Sequence, residues 1–145
     1  LGALLERYQD RARQMLDEHL AGCESLEALR DGLEKTSRSW FAMHREEPLW
    51  RHVFAGLLGS SELQQRDLAD TRASAARIAA AILAVAPDAD AGAVERSSLL
   101  INHLFIAAMQ LALAEPTAEA QEALFESWLA MAGGELARVL EGSSD

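Results

Sequence analysis

Apolar residues in this chain recur at alternating spacings of three and four, and no sustained alternation of apolar and polar residues appears anywhere. That periodicity restricts the fold more than any other feature. A 3.6-residue repeat lays apolar side chains along one face of a helix, whereas a half-buried strand needs a repeat of two. The punctuation agrees: the three prolines stand at Pro48, Pro87 and Pro116, each between two such stripes.

Six helices follow. The first runs from about Gly2 to Ala21, with Leu1, Leu5, Tyr8, Ala12, Met15 and His19 in one stripe, and Gly22 ends it. The second begins after Ser25 and carries Leu26, Leu29, Leu33, Thr36, Trp40 and Met43. It stops at Pro48, because the residue before a proline is pushed out of helical geometry. Pro48 suits the start of a short third helix holding Leu49, Trp50, Val53, Phe54, Leu57 and Leu58, which Gly59 closes. Ser61 with Gln64 reads as a capping box opening the fourth. Its stripe is Leu68, Thr71, Ala75, Ile78, Ile82 and Val85. Asp88 or Asp90 caps the fifth, which reaches about Glu115. Pro116 and Thr117 introduce the sixth, which ends near Gly142 and leaves a tail expected to fray.

At 145 residues the chain is one domain's worth, spanning 1–145, and long enough to bury a core. Alanine and leucine dominate, which favours helix. The formal net charge is −10, with arginine and lysine scattered among more numerous carboxylates. A chain so charged lacks the basic stripe that neutralises phosphates and is not expected to hold duplex DNA by itself. The lone Cys23 excludes an internal disulfide and fits a reducing, cytoplasmic setting. No export leader is legible. The longest apolar stretch, Leu99 to Leu113, is interrupted by Asn102, His103 and Gln110, so a membrane span is not expected. The chain opens at Leu1 without methionine, in what reads as a helix already under way, which implies a missing N-terminal segment.

The last two helices differ from the rest. The fifth is apolar nearly all round, so it must be covered on more than one side. The sixth has two apolar edges, one with Leu124, Trp128 and Met131 and another with Phe125, Leu129 and Leu136. Two arrangements satisfy this: a central hairpin surrounded by the other four helices, or a hairpin whose second face packs on a symmetry mate. Gly133-Gly134 favours the second, because mid-helix glycines destabilise and close helix approach is a common compensation.

Metal and catalytic chemistry find little support. Bundle-type metal sites use Glu-x-x-His pairs, but Leu16, Phe41, Leu49 and Leu100 stand three residues before the four histidines. His19 and Cys23 have a ligating spacing, with Gly22 breaking the helix between them. There is no Gly-x-Ser-x-Gly elbow and no glycine-rich phosphate loop, and the carboxylates read as polar-face residues. Neither a cofactor nor an enzymatic activity is expected. The middle of the chain is more informative. Trp40, Phe41 and His44 end the second helix, and Trp50 and Phe54 occupy the third. Each alone is ordinary core, but together they are the mix that lines a small-molecule pocket, apolar walls with a few orienting polar groups. Asn102 and His103 sit in the most apolar helix, where they are either a satisfied pair, a contact across a dimer, or a polar edge of that pocket. Ile106 lies one turn further on. Arg72 stands at the edge of the fourth helix's stripe, placed for a salt bridge with Asp70 or Glu62 or for a ligand. Met43 and Met109 serve equally as pocket wall or core filler.

The order of elements resembles the C-terminal domain of TetR/AcrR-type transcriptional regulators. LGALLERYQDRARQMLDEHLAG resembles the helix connecting that domain to its DNA-binding headpiece. ESLEALRDGLEKTSRSWFAMHREEPLWRHVFAGLLGSSELQQRDLADTRASAARIAAAI resembles the next three helices. AVERSSLLINHLFIAAMQLALAEP and EALFESWLAMAGGELARVLEG resemble the last two. The resemblance implies an all-α six-helix domain that senses a small, largely hydrophobic or aromatic effector between the first five helices. It also implies a homodimer built on a four-helix interface, and operator DNA reached only through an N-terminal helix-turn-helix headpiece. The expected ligand wall is Trp40, His44, Trp50, Phe54, Arg72, Asn102, His103 and Ile106. The expected interface is Leu124, Trp128, Met131, Ala132 and Leu136. The alternative is a stand-alone helical interaction domain with no pocket.

Overall fold

A computed structural model describes residues 1–142, and of the tail expected to fray, 142–145, all but Gly142 lies outside them. Six helices account for nearly all of it: α1 (Gly2–Leu20), α2 (Leu26–Glu46), α3 (Leu49–Leu58), α4 (Ser61–Val85), α5 (Ala91–Ala114) and α6 (Ala118–Glu141). The stripes of three-four spacing therefore become helices within a few residues of the expected bounds.

Short polar side chains start four of the helices by accepting the otherwise orphaned backbone N–H groups of the first turn. Ser25 accepts from Ala28 N at 3.1 Å, Asp90 from Ala93 N at 3.0 Å and Thr117 from Ala120 N at 3.1 Å. The fourth helix corrects the expected capping box. Ser60 rather than Ser61 is the cap, accepting from Leu63 N at 3.3 Å, and the Gln64 amide donates back to the Leu58 carbonyl at 3.2 Å. Of two adjacent serines, the one whose backbone is still extended takes the role (φ −133°, ψ 113°). At the α1–α2 turn Gly22 adopts φ +71°, a conformation only glycine enters without strain.

α5 packs along α4 on one side and α6 on the other, while α1 and α2 form a pair across this layer. Two apolar clusters result. The first gathers Leu5, Tyr8, Trp40, Phe41, Met43, Trp50, Val53, Leu57, Phe105, Met109, Ala112 and Phe125. The second, smaller one holds Leu29, Ala79, Ile82, Val94 and Val139. Met43 and Met109 are core filler, neither lining a cavity. Where α1 ends against α2 the helices approach so closely that a Cβ on Gly32 would run into the His19 carbonyl oxygen.

The 24-residue α5 is long and apolar enough to cross a bilayer, so Asn102, His103 and Gln110 do not exclude a span in the way the sequence suggested. Its composition has a second source. Part of its surface meets α4 and α6, yet Leu100, Leu104 and Leu111 remain exposed on its far side.

Candidate functional site

Between the two clusters lies a cavity of about 470 Å³. The same face of α1 that was read as a stripe supplies Leu5, Tyr8, Ala12 and Met15, with Gln9 and Leu16 beside them. α2 contributes Leu33, Thr36, Ser37 and Trp40, and α3 contributes Trp50. α4 turns Asp67, Asp70, Thr71, Ser74 and Ile78 toward the space, and α5 adds Ser98, Ile101, Asn102, Phe105 and Ile106. α6 closes the wall with Trp128, Leu129, Ala132 and Leu136. All three tryptophans of the chain thus border one cavity. Exposed Arg30, Glu34, Glu126, Ala130 and Gly133 place its rim between α2 and α6. There Arg38 straps the helices together, reaching Glu34 at 2.9 Å and Glu126 at 2.6 Å.

Of the expected ligand wall, Trp40, Trp50, Asn102 and Ile106 line this cavity. The other four do not. His44 is buried behind the tryptophans, its ring 3.9 Å from that of Trp50 and 4.3 Å from that of Trp40. Its Nδ1 donates to the Trp40 carbonyl at 2.6 Å, and burial pulls its pKa down to about 4, so the ring is neutral. Phe54 packs edge-on against Trp50 but borders a separate surface depression between α3 and the α5–α6 turn. Arg72 and His103 point outward and are exposed, because each lies roughly a quarter-turn from the inward residues Thr71 and Asn102. Asp70, considered as a partner for Arg72, instead meets Arg13 at 2.5 Å. Asn102 is satisfied within the chain, its amide donating to the Thr71 carbonyl at 3.1 Å.

The expected interface set is divided in the same way. Trp128, Ala132 and Leu136, spaced four apart, face the cavity, and Leu124 packs against the first cluster. Only Met131 is on the outer face, 73 % exposed. Both apolar edges of α6 were legible, and residues of both face inward, Met131 excepted.

The sequence placed α1 at the site without naming a residue on it, read α6 only as interface, and did not mark the two carboxylates. Asp67 and Asp70, read as polar-face residues, line the cavity and are only partly exposed. Burial pushes both carboxyls above their ordinary value, opposed at Asp67 by the Gln9 hydrogen bond and at Asp70 by the charge of Arg13. Their signal was the run Asp67, Asp70, Thr71, Ser74, Ile78, a helical stripe that is polar at one end.

A match to a family model covers residues 27–139, the model being described as a tetracyclin repressor-like, C-terminal domain. The chain belongs to that family. The match runs from the start of α2 almost to the end of α6, so every cavity-lining element except α1 falls within it. This repressor-like C-terminal domain therefore has the fold and family of the effector-binding and dimerisation domains of transcription regulators. No curated protein and no solved structure matches the chain significantly.

Proposed function

We propose that this chain is the sensing and dimerisation domain of a transcriptional repressor, and that the cavity between its two apolar clusters is the effector site. The observation that carries the reading is the cavity itself: about 470 Å³, bordered by all three tryptophans, in a chain of this family. That volume lies within the roughly 300–1,000 Å³ usual for small organic ligands. A stand-alone interaction domain has no use for such a void.

The effector is small and largely hydrophobic or aromatic. It acts by binding one arrangement of α1 better than the other, since equal affinity shifts nothing. α1 is suited to this role, because it provides one cavity wall and is joined to α4 by polar contacts, the ion pairs Arg13–Asp70, Glu6–Arg66 and Asp17–Arg77 among them. Operator DNA is contacted by an N-terminal headpiece leading into α1, in a cytoplasmic homodimer. The dimer face is the outer side of α5 and α6. Leu100, Leu104, Leu111 and Met131 are 51–73 % exposed, and a Cβ atom built on Gly134 would meet nothing within 4 Å. A two-fold mate lying there covers the leucines and gives Gly134 a neighbour.

Sedimentation of this chain with the uncharged dye Nile red tests both halves. A species of twice 15.8 kDa that takes up one dye per chain is expected. A monomer that leaves the dye dark contradicts the proposal.

A further inference from the structure

Building on the cavity as effector site, we propose that its ligand is an amphiphilic organic cation, an aromatic or alkyl body bearing an ammonium group, with Asp67 as the counter-ion. The charges around the space are unequal. Among the described residues four carboxylates line it, Glu34, Asp67, Asp70 and Glu126, against a single lining guanidinium, Arg30. Arg38 neutralises the rim by bridging Glu34 and Glu126, and Arg13 answers Asp70, although Arg13 is also shared with Asp10. Asp67 is left with the neutral amide of Gln9, at 3.5 Å, as its hydrogen-bond partner. The basic side chain whose field reaches it is His103, exposed on α5.

A carboxylate so placed discriminates among guests. A neutral apolar ligand displaces water from Asp67 and gives nothing back, which penalises binding. An anionic ligand adds repulsion to that loss. An ammonium group restores the lost solvation with a charge-assisted hydrogen bond or a close ion pair. The walls also hold Tyr8, Trp40, Trp50, Phe105 and Trp128, and aromatic rings are groups that attract cations. The net charge of −10 adds long-range attraction for a cation.

The test is calorimetric titration of the native chain with three matched compounds. They are phenylbutyl-trimethylammonium, its uncharged isostere with carbon in place of the ammonium nitrogen, and phenylhexanoate. The cation, which has no N–H to donate, is expected to bind at least about tenfold more tightly than either of the others through close ion pairing alone. Asp67→Asn keeps the shape, removes a poorly solvated charge, and is expected to fold with unchanged or higher Tm while losing the preference. Equal binding of cation and isostere, tighter binding of the carboxylate, or a preference kept in Asp67→Asn overturns the assignment and leaves the cavity as a binding site. Absence of binding by all three overturns the cavity reading along with it.

Discussion

Ala132 distinguishes an inward from an outward α6, because it belongs to the expected interface but faces the cavity. Ala132→Leu adds three carbons at a half-buried position. Full burial of each contributes about 0.8 kcal/mol, so the ceiling is near ~2.4 kcal/mol. The rim at Ala130 and Gly133 leaves part of the new side chain facing solvent. About half the ceiling, roughly 1 kcal/mol, is therefore the expected stabilisation of the ligand-free chain. For a domain of this size that raises Tm by about 4 °C. Differential scanning calorimetry reads this directly. Nile red affinity should fall in the same variant, because the leucine occupies guest volume, while the sedimenting mass should not change. If the site were solid, the same substitution would overpack it and cost about 1–3 kcal/mol. A lower Tm with unaltered dye affinity refutes the placement of α6.

Leu104→Glu and Met131→Lys each put a charge on the outer α5–α6 face, and both should convert the dimer to a 15.8 kDa monomer by light scattering. His44 takes up its proton near its ordinary 6.5 when unfolded but only near pH 4 when folded. Its contribution to stability is thus intact above pH 6.5 and lost as pH falls through that window, reaching about 3 kcal/mol below pH 4. The raised carboxyls of Asp67 and Asp70 act in the opposite sense, so the readout is the difference in urea midpoint between the native chain and His44→Phe across that range. Gly32→Ala should force α1 from α2 at the His19 carbonyl and cost about 1–3 kcal/mol, measured by the same denaturation.

Helix content and order were legible because each stripe coincides with a local start or stop: Ser25, Asp90 and Thr117 cap the next turn with their side chains, and Pro48 and Gly59 act through their own backbone. The site was legible only in part. Trp40 and Trp50 were found because bulky aromatics bunched near a proline-started helix stand out from ordinary core. His44 and Phe54 carried the same signal, yet they support the tryptophans from outside the cavity. Periodicity marks a face without saying what covers it. Hence Trp128, Ala132 and Leu136 read as an interface, and Arg72 and His103, one residue from inward positions, read as wall. Asp67 and Asp70 escaped notice because a carboxylate on a helix is usually solvated, and only the crossing of α1 over α4 encloses them.

The central claim is that a guest occupies one cavity bordered by every tryptophan of the chain. Chain labelled with nitrogen-15 gives one indole N–H resonance for each of Trp40, Trp50 and Trp128. Titration with Nile red should shift all three together and saturate at one dye per chain. Three unmoved resonances at saturating dye, or movement of one alone, would contradict the account.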